Sequence, residues 1–128
     1  MAVKYKVIER GQPGVVGGGD KKFYANATSS GELTLEKLTK RIEQNSTVGG
    51  ADIRAVLYSL VQIMTDGLEE GSIVRLGDLG SLRIGISSNG ENSAEAVNAN
   101  SISGAKCIFT PGKELKRMLQ NLEYEKVE

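Results

Sequence analysis

The side chains that could do chemistry in this chain are cations, because catalytic nucleophiles and metal ligands are scarce. The 128 residues include no histidine and a single cysteine, Cys107. This composition excludes Ser-His-Asp and Cys-His catalysis, imidazole metal sites and an intrachain disulfide. We interpret Cys107 as a buried structural thiol. The carboxylates do not cluster at metal-ligand spacing, so we predict no metal, no cofactor, no small-molecule substrate and no enzymatic activity.

A glycine-rich segment, Gly11–Asp20, first suggests a phosphate-binding loop. Such a loop requires a Lys followed by Ser or Thr, placed between a strand and a helix. Here Gly19 is followed by Asp20 and then by Lys21-Lys22-Phe23, and the next predicted element is a strand. We therefore interpret the segment as a flexible connection.

The candidate binding site consists of Lys and Arg residues in the C-terminal half of the chain. Arg83 and Lys106 alternate with apolar neighbours in predicted strands, so each faces away from those neighbours. The predicted last helix carries three more cations in its first turns. The candidate binding residues are Arg83, Lys106, Lys113, Lys116 and Arg117. A second basic group near the N-terminus comprises Lys4, Lys6, Lys21 and Lys22. For both groups the alternative is ordinary solvated surface charge.

The charge balance limits the kind of protein this is. Sixteen Lys and Arg residues balance 16 Asp and Glu residues, which excludes a uniformly basic coat and an acidic disordered chain. Residues 1–31 hold five basic and two acidic residues, whereas residues 32–71 hold four basic and seven acidic. The longest apolar run, Ala55–Tyr58, is far shorter than the roughly 20 residues of a membrane span. We expect a soluble, cytoplasmic protein.

Hydrophobic periodicity predicts an α+β fold with antiparallel strands. We predict a two-stranded extension over residues 1–31 and a second domain over residues 32–128. A Thr-Pro pair, Thr110-Pro111, predicts the start of the last helix. The predicted strands are 3–8, 23–28, 72–76, 81–86 and 104–109, and the first two helices are 35–44 and 51–69.

The longer helix, 51–69, is apolar over an unusually wide arc. At 100° per residue its apolar side chains span about 160°, wider than the ~100° stripe that one packing surface requires. One interpretation is a central helix covered on two sides. The other, which we favour, is that one side packs on a partner subunit.

The ordered set of motifs resembles the bacterial histone-like HU and integration-host-factor family. The chain carries a G-x-x-V-x-L-x-x-L-G-x-L-x-I hairpin at Gly71–Ile84, after two amphipathic helices, and F-T-P-G-K-E-L-K at Phe109–Lys116. The similarity covers about residues 33–122. The N-terminal strands and glycine-rich segment look like the longer HU-related proteins of the Bacteroidetes type.

The resemblance implies an HU-like domain with two N-terminal helices, a three-stranded antiparallel sheet and a C-terminal helix. It also implies a homodimer that binds and bends double-stranded DNA with two β-arms, each tipped by an apolar wedge. The segment in the arm's place, Ser87–Ser103, has no Lys or Arg and carries Glu91 and Glu95. Neither proline, Pro13 or Pro111, lies in it.

We therefore expect a nucleoid-associated, architectural DNA-binding protein that tolerates many sequences and holds DNA through phosphates. Because DNA affinity comes largely from Lys and Arg, the acidic arm segment predicts weak or absent arm-mediated bending. The alternative is an HU-fold dimer that has lost DNA bending and serves as a protein-interaction or assembly module.

Overall fold

The computed structural model describes residues 1–127 and has an α+β architecture of three α-helices and two three-stranded sheets. In chain order the α-helices and strands are β1 (Val3–Arg10), β2 (Lys22–Ala27), α1 (Leu35–Asn45), α2 (Gly50–Glu69), β3 (Val74–Arg75), β4 (Gly80–Ser88), β5 (Ile102–Pro111), α3 (Lys113–Gln120) and β6 (Tyr124–Lys126). The chain divides into two compact units, one of Met1–Leu38 with the segment from Leu119 onward, the other of Thr39–Met118.

The first unit contains a sheet with the strand order β2-β1-β6. The two predicted N-terminal strands are present and pair antiparallel from Tyr5–Ala27 to Arg10–Lys22. A third strand, β6, pairs parallel to β1, with Val3 beside Tyr124. The sequence analysis missed β6 because three residues are too short for an alternating pattern to stand out.

The second unit contains the antiparallel sheet β3-β4-β5, and α2 packs on β3 and β4. Alternation along the strands places the pairs Leu82–Phe109, Ile84–Cys107 and Ile86–Ala105 on one face, which we call the apolar face. Val74 shares this face and lies against Gly67 of α2. A Cβ at Gly67 would lie 3.7 Å from Val74 Cγ2, an ordinary van der Waals distance, so the helix packs against the strand at this point.

The start of the last helix differs from the prediction. Pro111 does not open α3, because it is still paired with Gly80 at the end of β5. The helix begins at Lys113, and its Lys116 N–H donates to Gly112 O at 2.9 Å. Since β5 is the outer strand of the sheet, a proline at its end costs no ladder hydrogen bond. The predicted strand 72–76 is also shorter, reduced to β3.

The prediction of a buried Cys107 is wrong. The thiol is exposed, on the apolar face beside Ile84, which is itself 41% exposed. An apolar strand position is buried only where another element covers it, and none of the described residues does so here.

Very little apolar surface is fully buried. Ile53 of α2 is the only buried hydrophobic side chain within residues 1–127. On the same helix Val56 and Ile63 are 64% and 69% exposed. A single domain of this size ordinarily buries about two-thirds of the surface of its unfolded chain, which requires far more core than this. The single chain therefore leaves much of its apolar surface exposed.

The turn between β3 and β4 depends on Gly80. Its φ of +146° lies outside the range that L side chains prefer, and a Cβ there would meet Thr110 O and lie 2.9 Å from the Phe109 ring. Strained backbone of this kind costs on the order of 1–3 kcal/mol for a residue with a side chain. We predict that Gly80→Ala lowers the free energy of unfolding by at least about 2 kcal/mol in urea titrations.

Gly104 is the matched control for this prediction. It lies in β5, lacks a positive φ and has open space where a Cβ would stand. Gly104→Ala should therefore leave the unfolding midpoint unchanged or raise it slightly. Equal losses in the two variants would contradict our account of the turn.

Candidate nucleic-acid interface

The second face of the β3-β4-β5 sheet gathers three cations. Residues directly opposite in an antiparallel pair share a face. Arg75 is paired with Ser81, Arg83 with Ile108, and Lys106 with Gly85. Ser81, Arg83 and Gly85 alternate along β4, so Arg75, Arg83 and Lys106 all project to the same side. We call this the sheet cation face; all three of its cations are exposed.

Apart from Ile108, the rest of the sheet cation face consists of small residues, and the face is free of carboxylates. Strands β3, β4 and β5 contain no Asp or Glu. At Gly85 a Cβ would lie 2.7 Å from Ile108 Cδ1 and 3.7 Å from Lys106 Cε, so these two side chains extend over the bare glycine. The face is therefore positively charged, which suits the phosphate backbone of a nucleic acid.

Arg75 is the member of this face that the sequence analysis did not single out. The sequence did contain a pattern that points to Arg75, because this residue alternates with Val74 and Leu76 in a predicted strand just before a tight turn. Pairing that strand with the next one through the turn at Gly77–Gly80 would have placed Arg75 beside Ser81 and hence on the side of Arg83.

The three predicted cations of α3 lie on one side of the helix. At 100° per residue Lys113, Lys116 and Arg117 span about 100°, opposite Leu115 and Leu119. Lys113 and Lys116 are exposed. Arg117 differs, because its Nη1 lies 3.2 Å from Glu114 Oε1 in an exposed ion pair. Such a pair contributes at most about 1 kcal/mol, but it neutralises part of the charge that Arg117 would offer.

Backbone hydrogen bonds fix the start of α3 to the turn between β3 and β4. The Gly112 N–H donates to Leu79 O at 2.9 Å, and the Glu114 N–H donates to Asp78 O at 3.3 Å. Arg75 and Gly112 line one shallow depression with the turn. The first turn of α3, which carries Lys113, thus begins beside the Arg75 end of the sheet cation face.

The segment in the position of an arm is a compact loop. The paired strands end at Ser88 and Ile102. Between them the buried Ser101 hydroxyl donates to Glu91 Oε1 at 3.1 Å and accepts from the Asn98 N–H at 3.2 Å, and Asn98 Oδ1 accepts from the Asn100 N–H at 2.8 Å. The loop is held by its own hydrogen bonds and presents no cation.

Residues 1–127 contain neither a cluster of potential metal ligands nor a helix suited to a membrane. No group of three His, Cys, Asp or Glu side chains is placed to hold a metal ion. None of the described helices combines the length and the apolar character needed to cross a bilayer.

Comparison with known proteins identifies the family of the chain. Residues 1–126 match the HU-HIG family, described as an HU domain fused to wHTH, Ig or a glycine-rich motif. The chain belongs to this family. The resemblance to HU predicted from the sequence is confirmed.

Individual relatives give the same result. The chain is 28% identical over 93 residues to a probable DNA-binding protein HU of Chlamydia trachomatis and to another of Chlamydia pneumoniae, which covers 69% of this chain and 91% of each relative. A solved structure from Bacteroides vulgatus, described as a bacterial DNA-binding protein, shares the fold with a TM-score of 0.63 at 16% identity. The match covers 98% of this chain, which spans about half of that protein, 48% of its length.

Proposed function

We propose that the chain binds double-stranded DNA through its phosphates, as a non-enzymatic, nucleoid-associated protein of the cytoplasm. The observation that carries the proposal is the sheet cation face, where Arg75, Arg83 and Lys106 lie together without a carboxylate. The Chlamydia relatives are named as DNA-binding proteins, which supports it. In this proposal residues 32–128 form the HU-like DNA-binding part and residues 1–31 form a β extension.

Phosphate contacts explain both the affinity and the breadth of binding that we expect. Lys and Arg that neutralise phosphates release condensed counterions, and this release supplies a large share of DNA affinity. Phosphate contacts carry no sequence information directly. Because the contacts that we propose are between exposed cations and phosphates, binding should tolerate many sequences.

The first turns of α3 extend this surface in our proposal. Lys113 and Lys116 are exposed and match the G-K-x-L-K pattern of the family. We assign Arg117 a smaller contribution, because binding a phosphate would compete with its ion pair to Glu114.

The loop between β4 and β5 supports weak bending rather than the arm-mediated kinking of the family. Kinking proteins insert an apolar side chain between base steps after cations have brought it to the groove. The loop exposes one large apolar side chain, Val97, but carries Glu91 and Glu95 and no cation. We propose that DNA lies on the sheet cation face and is bent little.

A homodimer is part of this proposal, and the support comes from α2. Val56, Leu60 and Ile63 line an exposed apolar patch with Ala55 and Ser59. Together with the incompletely covered apolar face of the sheet, this patch offers the surface that a second copy would bury. Dimerisation would supply the core that one chain lacks, and it would double the number of cations that one duplex meets.

The exposed apolar patch also favours a second candidate, an HU-fold dimer that acts as a protein-interaction or assembly module. The overall charge of zero agrees with a protein that has no general affinity for polyanions. DNA binding at low salt distinguishes the two functions, because electrostatic binding is strongest there.

Neutralising the sheet cation face should weaken binding equally for all sequences. We predict that Arg83→Gln with Lys106→Gln lowers duplex affinity at least tenfold. It should also reduce the slope of log K against log[salt] by roughly 0.9 for each lost contact. Fluorescence anisotropy across a salt series with two unrelated duplexes measures both quantities.

The matched control removes two exposed cations from α1, in Lys40→Gln with Arg41→Gln. These residues belong to the same unit but lie off the sheet. Similar losses of affinity in both double variants would show that net charge, not the sheet cation face, determines binding. A parent chain that binds no duplex even at low salt would replace the DNA-binding proposal with the interaction module.

The compact loop should be dispensable for DNA affinity. Replacing residues 90–100 by a short Gly/Ser turn removes Glu91 and Glu95 without touching a cation. We predict affinity within a few-fold of the parent in the same anisotropy assay. A loss of more than about tenfold, or about 1.4 kcal/mol, would show that the loop contacts DNA.

The proposed dimer can be tested by substituting an apolar side chain that is exposed in the single chain. Ile63 is 69% exposed, so Ile63→Glu should scarcely affect a monomer. In a dimer that buries the α2 patch, the glutamate would be desolvated without a partner, and we expect dissociation or unfolding. Sedimentation should give twice the chain mass for the parent and not for the variant.

Tyr58→Glu is the control, because Tyr58 is 63% exposed on the opposite side of α2. It should retain the mass and stability of the parent. A parent that sediments as a stable monomer would contradict the dimer.

A further inference from the structure

A second cation-rich surface lies on the N-terminal sheet, in the first unit. Alternation along β1 and its pairing with β2 place four cations on one face, which we call the N-terminal cation face. Its cations are Lys4, Lys6, Arg10 and Lys22. All four are exposed, and the carboxylate on this face of the three strands is Glu125, beside Lys4.

The structure revises the basic group that the sequence suggested. Lys21 precedes β2 and is not among the paired residues, whereas Arg10 is paired with Lys22 and joins the face. Val3, Tyr5 and Tyr124 line a shallow pocket on the opposite face. Ile8 and Tyr24 lie between the cations on the N-terminal cation face itself. The four cations share one face and are not scattered.

The placement of these cations costs stability in the isolated chain. Arg10 and Lys22 are directly opposite each other, and like charges in such a pair destabilise a sheet. Among the described residues the one ion pair joins Arg117 and Glu114, so none of the four cations is neutralised by a salt bridge. A bound polyanion would relieve this repulsion.

The ring of Tyr24 indicates which polyanion fits. The Arg10 guanidinium lies 4.6 Å from the centre of this ring, in a cation–π contact on the same face. Single-stranded nucleic acids bind largely by stacking bases on free aromatic rings. Here the ring is occupied by Arg10, while the cations remain exposed. The face is thus suited to phosphates of a duplex rather than to unpaired bases.

We propose that the N-terminal cation face is a second contact surface for the phosphate backbone of double-stranded DNA. This inference rests on the proposed function, because it adds contacts to a chain that already binds duplex on another surface. In this proposal the N-terminal extension has a role of its own, because it increases the number of DNA phosphates that the protein contacts.

The test is a pair of charge-matched double variants. Lys6→Gln with Lys22→Gln removes two cations from the N-terminal cation face. Lys21→Gln with Lys126→Gln removes two cations elsewhere in the same unit, since Lys126 lies on the opposite face beside Tyr5. Circular dichroism and thermal unfolding establish that both variants are folded before duplex affinity is measured across a salt series.

We expect the Lys6/Lys22 variant to lose at least fivefold in duplex affinity and roughly 0.9 in salt slope for each lost contact. The Lys21/Lys126 variant should match the parent. Lysine acetylation analysed by mass spectrometry gives an independent readout, in which duplex should protect Lys4, Lys6 and Lys22 but leave Lys21 and Lys126 reactive.

Other outcomes overturn the inference in distinguishable ways. If the parent and the Lys6/Lys22 variant bind duplex with equal affinity and slope, this inference fails and the proposed function stands. If the face binds single-stranded RNA or DNA but not duplex, the assignment of the partner is wrong. If the parent binds no duplex at low salt, both proposals fall together.

Discussion

The antiparallel register of β4 and β5 is the constraint on which the candidate DNA surface depends. Side chains alternate between faces, so a slip of one residue would move Arg83 to the side of Ile84. Gly80 and Gly112 fix this register at one end, because a Cβ on Gly80 would meet Thr110 O and one on Gly112 would meet Asp78 O. These two glycines thereby help to keep Arg83 and Lys106 on the same face of the sheet.

The same register explains why one chain leaves apolar side chains of its sheet exposed. It sends Ile84, Ile86 and Phe109 to the apolar face, where they remain 41%, 62% and 44% exposed. Val56 and Ile63 of α2 are exposed as well. We infer that charge and apolar surface are separated for different partners, the cations for phosphates and the apolar groups for a second copy of the chain.

Many of the strands and helices could be predicted from short-range patterns in the sequence. Alternation predicted β1, β2, β4 and β5 to within a few residues, and apolar periodicity gave α1 and α2 nearly to the residue. The predictions that were wrong depend on tertiary contacts. Pro111 remains in β5 because it is paired with Gly80, and Cys107 is exposed because none of the described residues covers its position on the sheet. Arg75 could be assigned to the sheet cation face only from the register of β3 and β4, because the pairing of strands determines which cations share a face.

The most direct measurement of the central claim is a ¹³C-methyl spectrum of the isoleucines, titrated with duplex DNA at low salt. Ile108 lies among the cations beside Arg83, whereas Ile84 and Ile86 lie on the apolar face of the same sheet. We predict that duplex shifts the Ile108 methyl signals, that added salt reverses the shift, and that Ile84 and Ile86 do not move. Shifts at Ile84 and Ile86 with Ile108 unchanged would contradict the account.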